Sequence, residues 1–219
     1  MDSPGARRSP DLIVTTDIAG EAAKRFLDIA PKTLVVAGGN TPRPVYERLA
    51  MVPHPWSQTS IYFGDERCVP PTDPASNFRM ASEALLAKVP ASVYPMPGSC
   101  DARAYEALLR RHFGADIPVF DLVFLGLGED GHTASLFPGS PALTEQTRLV
   151  VAVERPDHHR ITMTLPVLSA ARAVIFLVSG RDKRRALGQL LRGEDIPAAR
   201  VLARRTLILA DPDASPATG

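Results

Sequence analysis

Short runs rich in Val, Ile and Leu recur along the chain at residues 12–15, 33–37, 60–63, 121–125, 149–153, 173–179 and 206–210. They are apolar at consecutive positions, which suits strands covered on both faces and therefore a mostly parallel sheet. Between them, residues 18–29, 43–50, 77–88, 102–113 and 182–192 have helix-compatible spacing and composition, with Ser76 or Asn77 as a cap for the third of these. The alternation predicts an α/β fold, a single-domain three-layer α/β/α sandwich over residues 1–219. No internal repeat or linker divides it, and residues 1–10 and 212–219 read as flexible tails.

Composition narrows the function more than the fold. With 219 residues, 45% of them hydrophobic, the chain can bury a sizeable core. Its 25 basic and 24 acidic residues leave a net charge of +1, so no global field draws nucleic acid or an anionic membrane. Neither partner is expected, and affinity for any anion must come from a local arrangement. Cys68 and Cys100 fit neither a disulfide framework nor a zinc pattern and read as incidental thiols. The first eleven residues lack the apolar core of a signal peptide, and no apolar run reaches spanning length, which makes the cytoplasm the expected compartment.

In open sheets of this kind ligands gather where strands lead into helices, and four such loops carry unusual chemistry. Gly38-Gly39-Asn40-Thr41-Pro42 follows the run 33–37. Its glycines permit positive φ and close approach, Thr41 suits an N-cap, and Pro42 suits the first helical position. The free N–H groups of such a helix start form a seat for a phosphate; a plain strand–turn–helix is the alternative. Gly64-Asp65-Glu66-Arg67 places three charges at a strand end, where an arginine can clasp an oxyanion through two parallel hydrogen bonds. A solvated turn would explain it as well.

The loop from Gly126 to Ser135 holds glycines at 126, 128 and 131 and delivers His132 to its mouth, with Asp130 near enough in sequence to orient the ring. An imidazole, ordinarily titrating at roughly 6.5, can take a proton near neutrality. The fourth region has two parts, Arg160 at the head of Arg160-Ile161-Thr162-Met163-Thr164 and Lys183 in Gly180-Arg181-Asp182-Lys183. Lys183 falls in the first turn of its predicted helix, where a cation opposes the dipole unless an anion binds there.

No G-x-S-x-G elbow is present, and neither H-E-x-x-H nor C-x-x-C occurs; His158 and His159 are adjacent rather than four apart. The expectation is a site with no metal and no cofactor, in which His132 activates water directly.

The stretches A-G-G-N-T-P, G-D-E-R-C-V-P-P, G-E-D-G-H-T-A-S-L-F-P-G and R-I-T-M-T-L-P-V-L, in that order, resemble those of the 6-phosphogluconolactonases. The resemblance implies a Rossmann-like sugar-phosphate isomerase fold and hydrolysis of 6-phospho-D-glucono-1,5-lactone to 6-phosphogluconate in the oxidative pentose phosphate pathway. It implies His132 as base with Asp130 beside it. It puts Gly38, Gly39, Asn40, Thr41, Asp65, Arg67, Arg160 and Lys183 near the substrate and its phosphate. A functional association with glucose-6-phosphate dehydrogenase goes with that pathway. The first loop departs from the common S-G-G-S-T-P, with Ala37 and Asn40 replacing serines, and His158-His159 receives no role.

Two other readings remain open. An amino-sugar-phosphate deaminase or isomerase of the same fold would carry a carboxylate five residues after the loop histidine, where this chain has Phe137, and tyrosine in place of Arg67. A non-catalytic sugar-phosphate sensor would need a DNA-binding segment.

Overall fold

The computed structural model describes residues 10–114 and 116–216. Ten strands and six α-helices follow one another as β1 (Asp11–Val14), α1 (Ile18–Ile29), β2 (Thr33–Val36), α2 (Pro42–Leu49), β3 (Ser60–Phe63) and β4 (Asp65–Arg67). Next come α3 (Asn77–Ala84), β5 (Ser92–Tyr94), α4 (Ala102–Phe113), β6 (Leu122–Gly126), β7 (Val150–Val153) and β8 (Arg160–Met163). The chain ends with α5 (Leu165–Ser169), β9 (Val174–Val178), α6 (Arg184–Leu191) and β10 (Thr206–Ala210).

Seven strands form a parallel sheet in the order β1-β10-β9-β6-β2-β3-β5. Its central strands are the runs apolar on both faces: Leu122, Val123, Phe124 and Leu125 of β6 have no exposed surface. Helices on both faces make that pattern stable, because each side chain finds a covered surface. The predicted α/β sandwich is thus the observed architecture. Proceeding from β2, the chain runs outward through β3 and β5, then returns to β6 on the other side of β2. The order reverses between β2 and β6, and at such a point the loops leaving the two strands part and open a crevice at their carboxyl ends.

A second sheet was not expected. β4, β8 and β7 pair antiparallel, with Asp65 opposite Thr162 and Arg67 opposite Arg160. The run at 149–153 belongs to this small sheet and not to the parallel one, and Ala152 faces solvent. β4 reads as three charges because its strand geometry comes from the partner ladder, not from apolar content.

Local signals explain the helix starts. Asp17, Ser76 and Asp101 each accept a hydrogen bond from the backbone N–H three residues on. Thr41 precedes α2 with Pro42 at the first helical position, but its hydroxyl makes no capping bond. The helix expected over 77–88 stops at Ala84, with a 3₁₀ turn at Leu86–Lys88, and a 3₁₀ turn at Arg181–Lys183 precedes α6.

Two expectations are corrected. Cys68 and Cys100 form a disulfide, with Cα atoms 5.2 Å apart, joining the segment after β4 to the turn before α4. Pairing of residues 32 apart depends on fold proximity that spacing does not encode. Nor are residues 211–216 a loose tail. Asp211 accepts from the Ser179 hydroxyl at 2.6 Å, from Gly180 N–H at 3.0 Å and from Ala214 N–H at 2.7 Å, and Ala214 is fully buried. Of the predicted N-terminal tail, residues 1–9 lie outside the described residues.

Partial burial pushes the Asp211 carboxyl up, yet the bonds from Ser179, Ala214 and Gly180 outweigh it and hold the group below the usual carboxylate range. A depressed folded-state pKa contributes stability above the unfolded value that is lost as pH falls through the folded one. Asp211→Ala should therefore lower unfolding free energy by about 1–3 kcal/mol at neutral pH. In urea titrations the gap between the two proteins should narrow as the solution is made acidic.

Candidate functional site

The four loops singled out in the sequence meet at the carboxyl ends of β2, β3, β6 and β9, which lie side by side in the sheet. They enclose a cavity of about 360 Å³. Gly38, Gly39, Asn40, Thr41, Asp65, Arg67, His132, Arg160 and Lys183 all line it, so nine of the ten predicted residues share one wall. The tenth, Asp130, stands behind the histidine in an adjoining groove with Phe137 and Arg155.

The histidine is held from three sides. Asp130 Oδ1 is 2.6 Å from His132 Nδ1 and also accepts the His132 backbone N–H at 3.0 Å. Phe137 packs on the ring with centroids 4.4 Å apart. Gly128 leaves room for it, since a β-carbon at 128 would sit 2.1 Å from Nδ1. Burial raises the Asp130 pKa, but the two bonds from His132 and the imidazole charge lower it further, and the net direction is down. An ionised carboxylate can only accept, so the proton of a neutral ring belongs on Nδ1 and the lone pair on Nε2. The ring is half-buried, reachable from the cavity.

The phosphate-type donors are distributed around the same wall. Thr41 and Asn40 lead into α2, whose first turn offers a free N–H group at Arg43 but none at Pro42 and Pro44, which carry none. Gly39 takes the expected positive φ, 101°. Arg67 Nη1 donates to Ala75 O at 2.8 Å and to Asn77 Oδ1 at 3.1 Å, while its Nε is buried without a protein partner. Arg160, buried, forms a short ion pair with Asp157. Lys183 closes the 3₁₀ turn ahead of α6, one residue before the helix and not in its first turn as expected, and its ammonium is not alone: Asp182 lies 2.8 Å away and Glu129 3.9 Å. That lysine holds the Asp182 carboxyl below its ordinary range.

Asp65 and Glu66 are buried carboxylates. Glu66 accepts from the backbone N–H groups of Arg67, Asn77 and Phe78 and from the Ser76 hydroxyl. Burial nevertheless pushes its carboxyl up. Asp65 accepts from Ser135 Oγ at 2.6 Å and Asn77 Nδ2 at 3.2 Å. Asn77, which the sequence offers only as a helix cap, and Ser135 are the polar members it did not single out, although Ser135 lies within a stretch quoted for the resemblance. His158 and His159 are exposed and line neither cavity. Among the described residues no group of three or more His, Cys, Asp or Glu is arranged to hold a metal ion.

Comparison with known proteins agrees with this geometry. A family profile described as glucosamine-6-phosphate isomerases/6-phosphogluconolactonase matches residues 14–209. A 6-phosphogluconolactonase of Synechocystis sp. is 43% identical over 195 residues, covering 84% of this chain and 80% of the relative. One from Mycobacterium tuberculosis is 41% identical over 181 residues, 73% of each chain. Among solved structures, the 6-phosphogluconolactonase from Trypanosoma cruzi superposes with a TM-score of 0.84 at 29% identity, over 96% of this chain and 97% of that one. The chain belongs to the glucosamine-6-phosphate isomerase/6-phosphogluconolactonase family.

Proposed function

We propose that this protein hydrolyses 6-phospho-D-glucono-1,5-lactone to 6-phosphogluconate, and that His132 is its general base. The observation that carries the reading is the His132–Asp130 pair beside a cavity also lined by Arg67, Arg160 and Lys183. In this mechanism His132 Nε2 takes a proton from water as the water oxygen attacks the lactone carbonyl carbon. Asp130 stabilises the imidazolium that forms. Collapse of the tetrahedral intermediate breaks the bond from that carbon to the ring oxygen, and the imidazolium returns the proton to the departing oxygen. Atoms balance with one water consumed, and no metal or cofactor is needed. Arg67, Arg160, Lys183 and the 38–41 loop are assigned to the phosphate and sugar hydroxyls.

The amino-sugar-phosphate reading is disfavoured by Phe137, which packs on the His132 ring at the position where a relay carboxylate would stand. A binding-only module gives the Asp130–His132 pair no task. Because elements from both halves of the chain wall one cavity, the described residues are taken as one lactonase domain. No helix among the described residues is long and apolar enough to cross a membrane. A cytoplasmic setting is part of the proposal, with the glucose-6-phosphate dehydrogenase that would generate the lactone as a functional neighbour. The Cys68–Cys100 bridge is uncommon for a reducing compartment and stands against this part of the proposal, so thiol trapping at lysis decides the setting: a pair alkylated in the cell supports the cytoplasm, a bridged pair removes it.

The direct test is an assay of freshly generated lactone that resolves catalysis above spontaneous hydrolysis. His132→Ala should fold normally and lose about 10²–10⁴-fold in kcat. The wild-type kcat/KM should fall on the acid side, since a protonated imidazole cannot accept; near wild-type turnover by the folded variant would remove His132 from the role.

Lys183 is tested separately. A charge-assisted bond to phosphate is worth about ten- to a hundredfold in binding. Lys183→Ala should reduce kcat/KM on the phosphorylated lactone by that factor and leave the slow hydrolysis of unphosphorylated gluconolactone nearly unchanged. Equal losses on both substrates would move the phosphate seat elsewhere.

A further inference from the structure

Asn77 is almost wholly buried, at 2% exposure, and its single amide makes three contacts with two of the loops that wall the cavity. Its Oδ1 accepts from Arg67 Nη1 at 3.1 Å. Its Nδ2 donates to the Asp65 carbonyl at 2.9 Å and to Asp65 Oδ1 at 3.2 Å. The third contact is steric. A β-carbon on Gly38 would fall 1.8 Å from Asn77 Oδ1, so the Gly38 backbone rests directly on the amide plane. The other oxygen of Asp65 is fixed by Ser135 Oγ, which belongs to the same loop as His132. A continuous buried chain therefore runs from the histidine loop through Ser135, Asp65 and Asn77 to Arg67.

The chemistry of the amide makes this more than packing. Arg67 has donors only, and Asp65 when ionised has acceptors only. A side chain that touches both must offer an acceptor to one and a donor to the other, and a carboxamide does this without adding charge. Both Nη1 protons of Arg67 are engaged, one by Asn77 and one by the Ala75 carbonyl. The planar guanidinium is thereby fixed in rotation, with Nε and Nη2 left unengaged by any described protein group. A fork held in advance loses less freedom on binding an oxyanion bidentately.

We propose that Asn77 is a positioning residue for substrate phosphate, acting through Arg67. This rests on the lactonase reading above. The test uses the full chain with Asn77→Ala, Arg67→Ala and the double variant, each checked by thermal melting. Kinetics are measured on the phosphorylated lactone, and calorimetry gives Kd for 6-phosphogluconate and for unphosphorylated gluconate. Asn77→Ala should raise KM for the phosphorylated lactone and Kd for 6-phosphogluconate about tenfold. It should leave kcat within about threefold and gluconate binding unchanged. The double variant should bind no more weakly than Arg67→Ala alone, because Asn77 has nothing left to position at that fork.

Additive losses, or a fall in kcat with KM unchanged, would overturn the proposal. If Asn77→Ala does not fold, the isosteric Asn77→Asp replaces it; the variant keeps the acceptor for Arg67 but sets a second carboxylate against Asp65. It should then show near wild-type KM only when combined with Asp65→Asn, and failure of that rescue overturns the assignment. Absence of lactone hydrolysis by the wild-type chain overturns the functional reading instead, and the Kd measurements then decide Asn77 on their own.

Discussion

A carboxylate buried in the middle of β4 must be satisfied or it will not stay charged, and Glu66 meets that constraint in a way that organises much of the site. Its two oxygens take three backbone N–H groups and one hydroxyl, all but one from the first residues of α3 and its cap. An anion at a helix start satisfies orphan donors and the dipole together. The result is that β4 and α3 cannot shift independently. Arg67, next to Glu66 on the strand, and Asn77, at the head of the helix, inherit a fixed separation from it. Removing these bonds while Glu66 stays buried would leave its desolvation uncompensated, which is why a short strand of three charges persists only with this set of donors around it.

The cations around the cavity follow a second rule. The protein has almost no net charge, and each of its predicted anion ligands is partnered before substrate arrives: Lys183 by Asp182 and Glu129, Arg160 by Asp157. Asp182, Asp157 and Glu129 sit largely in solvent, which screens their hold on the cations. A dianion can displace such partners readily. Arg67 differs, being held by neutral acceptors, so it presents its charge without first losing a counter-ion.

The central strands, α1, α4 and β10 were legible because their apolar content, or a capping residue such as Asp17 or Asp101, is written locally. β4 and β8 were not. Their residues carry charge or alternate poorly, and only their mutual ladder makes them strands. For the site, loop position after a strand identified eight of the nine residues that share the cavity wall, and Arg160 instead opens β8. What spacing could not give was pairing across distance: the Cys68–Cys100 bridge, the Asp211 turn that closes on Ser179, and the Asn77 amide between Arg67 and Asp65. Each depends on two segments arriving together, and that is set by the whole sheet. That Lys183 stands near the head of α6 was readable, but the 3₁₀ turn that holds it and its two carboxylate partners were not.

Phe137 connects the fold to the kind of chemistry the site can perform. The aromatic ring packs on one side of His132 and carries the Arg155 guanidinium 4.2 Å from its own centroid, an arrangement that limits motion of the imidazole without adding a titrating group. A carboxylate at this position would set a second anion beside a ring already paired with Asp130. Two anions favour the protonated imidazole, which suits a relay that delivers protons during ring opening and works against a base that must accept one from water. One carboxylate orients the ring and still leaves it able to accept. In this chain the residue five positions after His132 therefore adds an aromatic contact to the proposed base and no second charge.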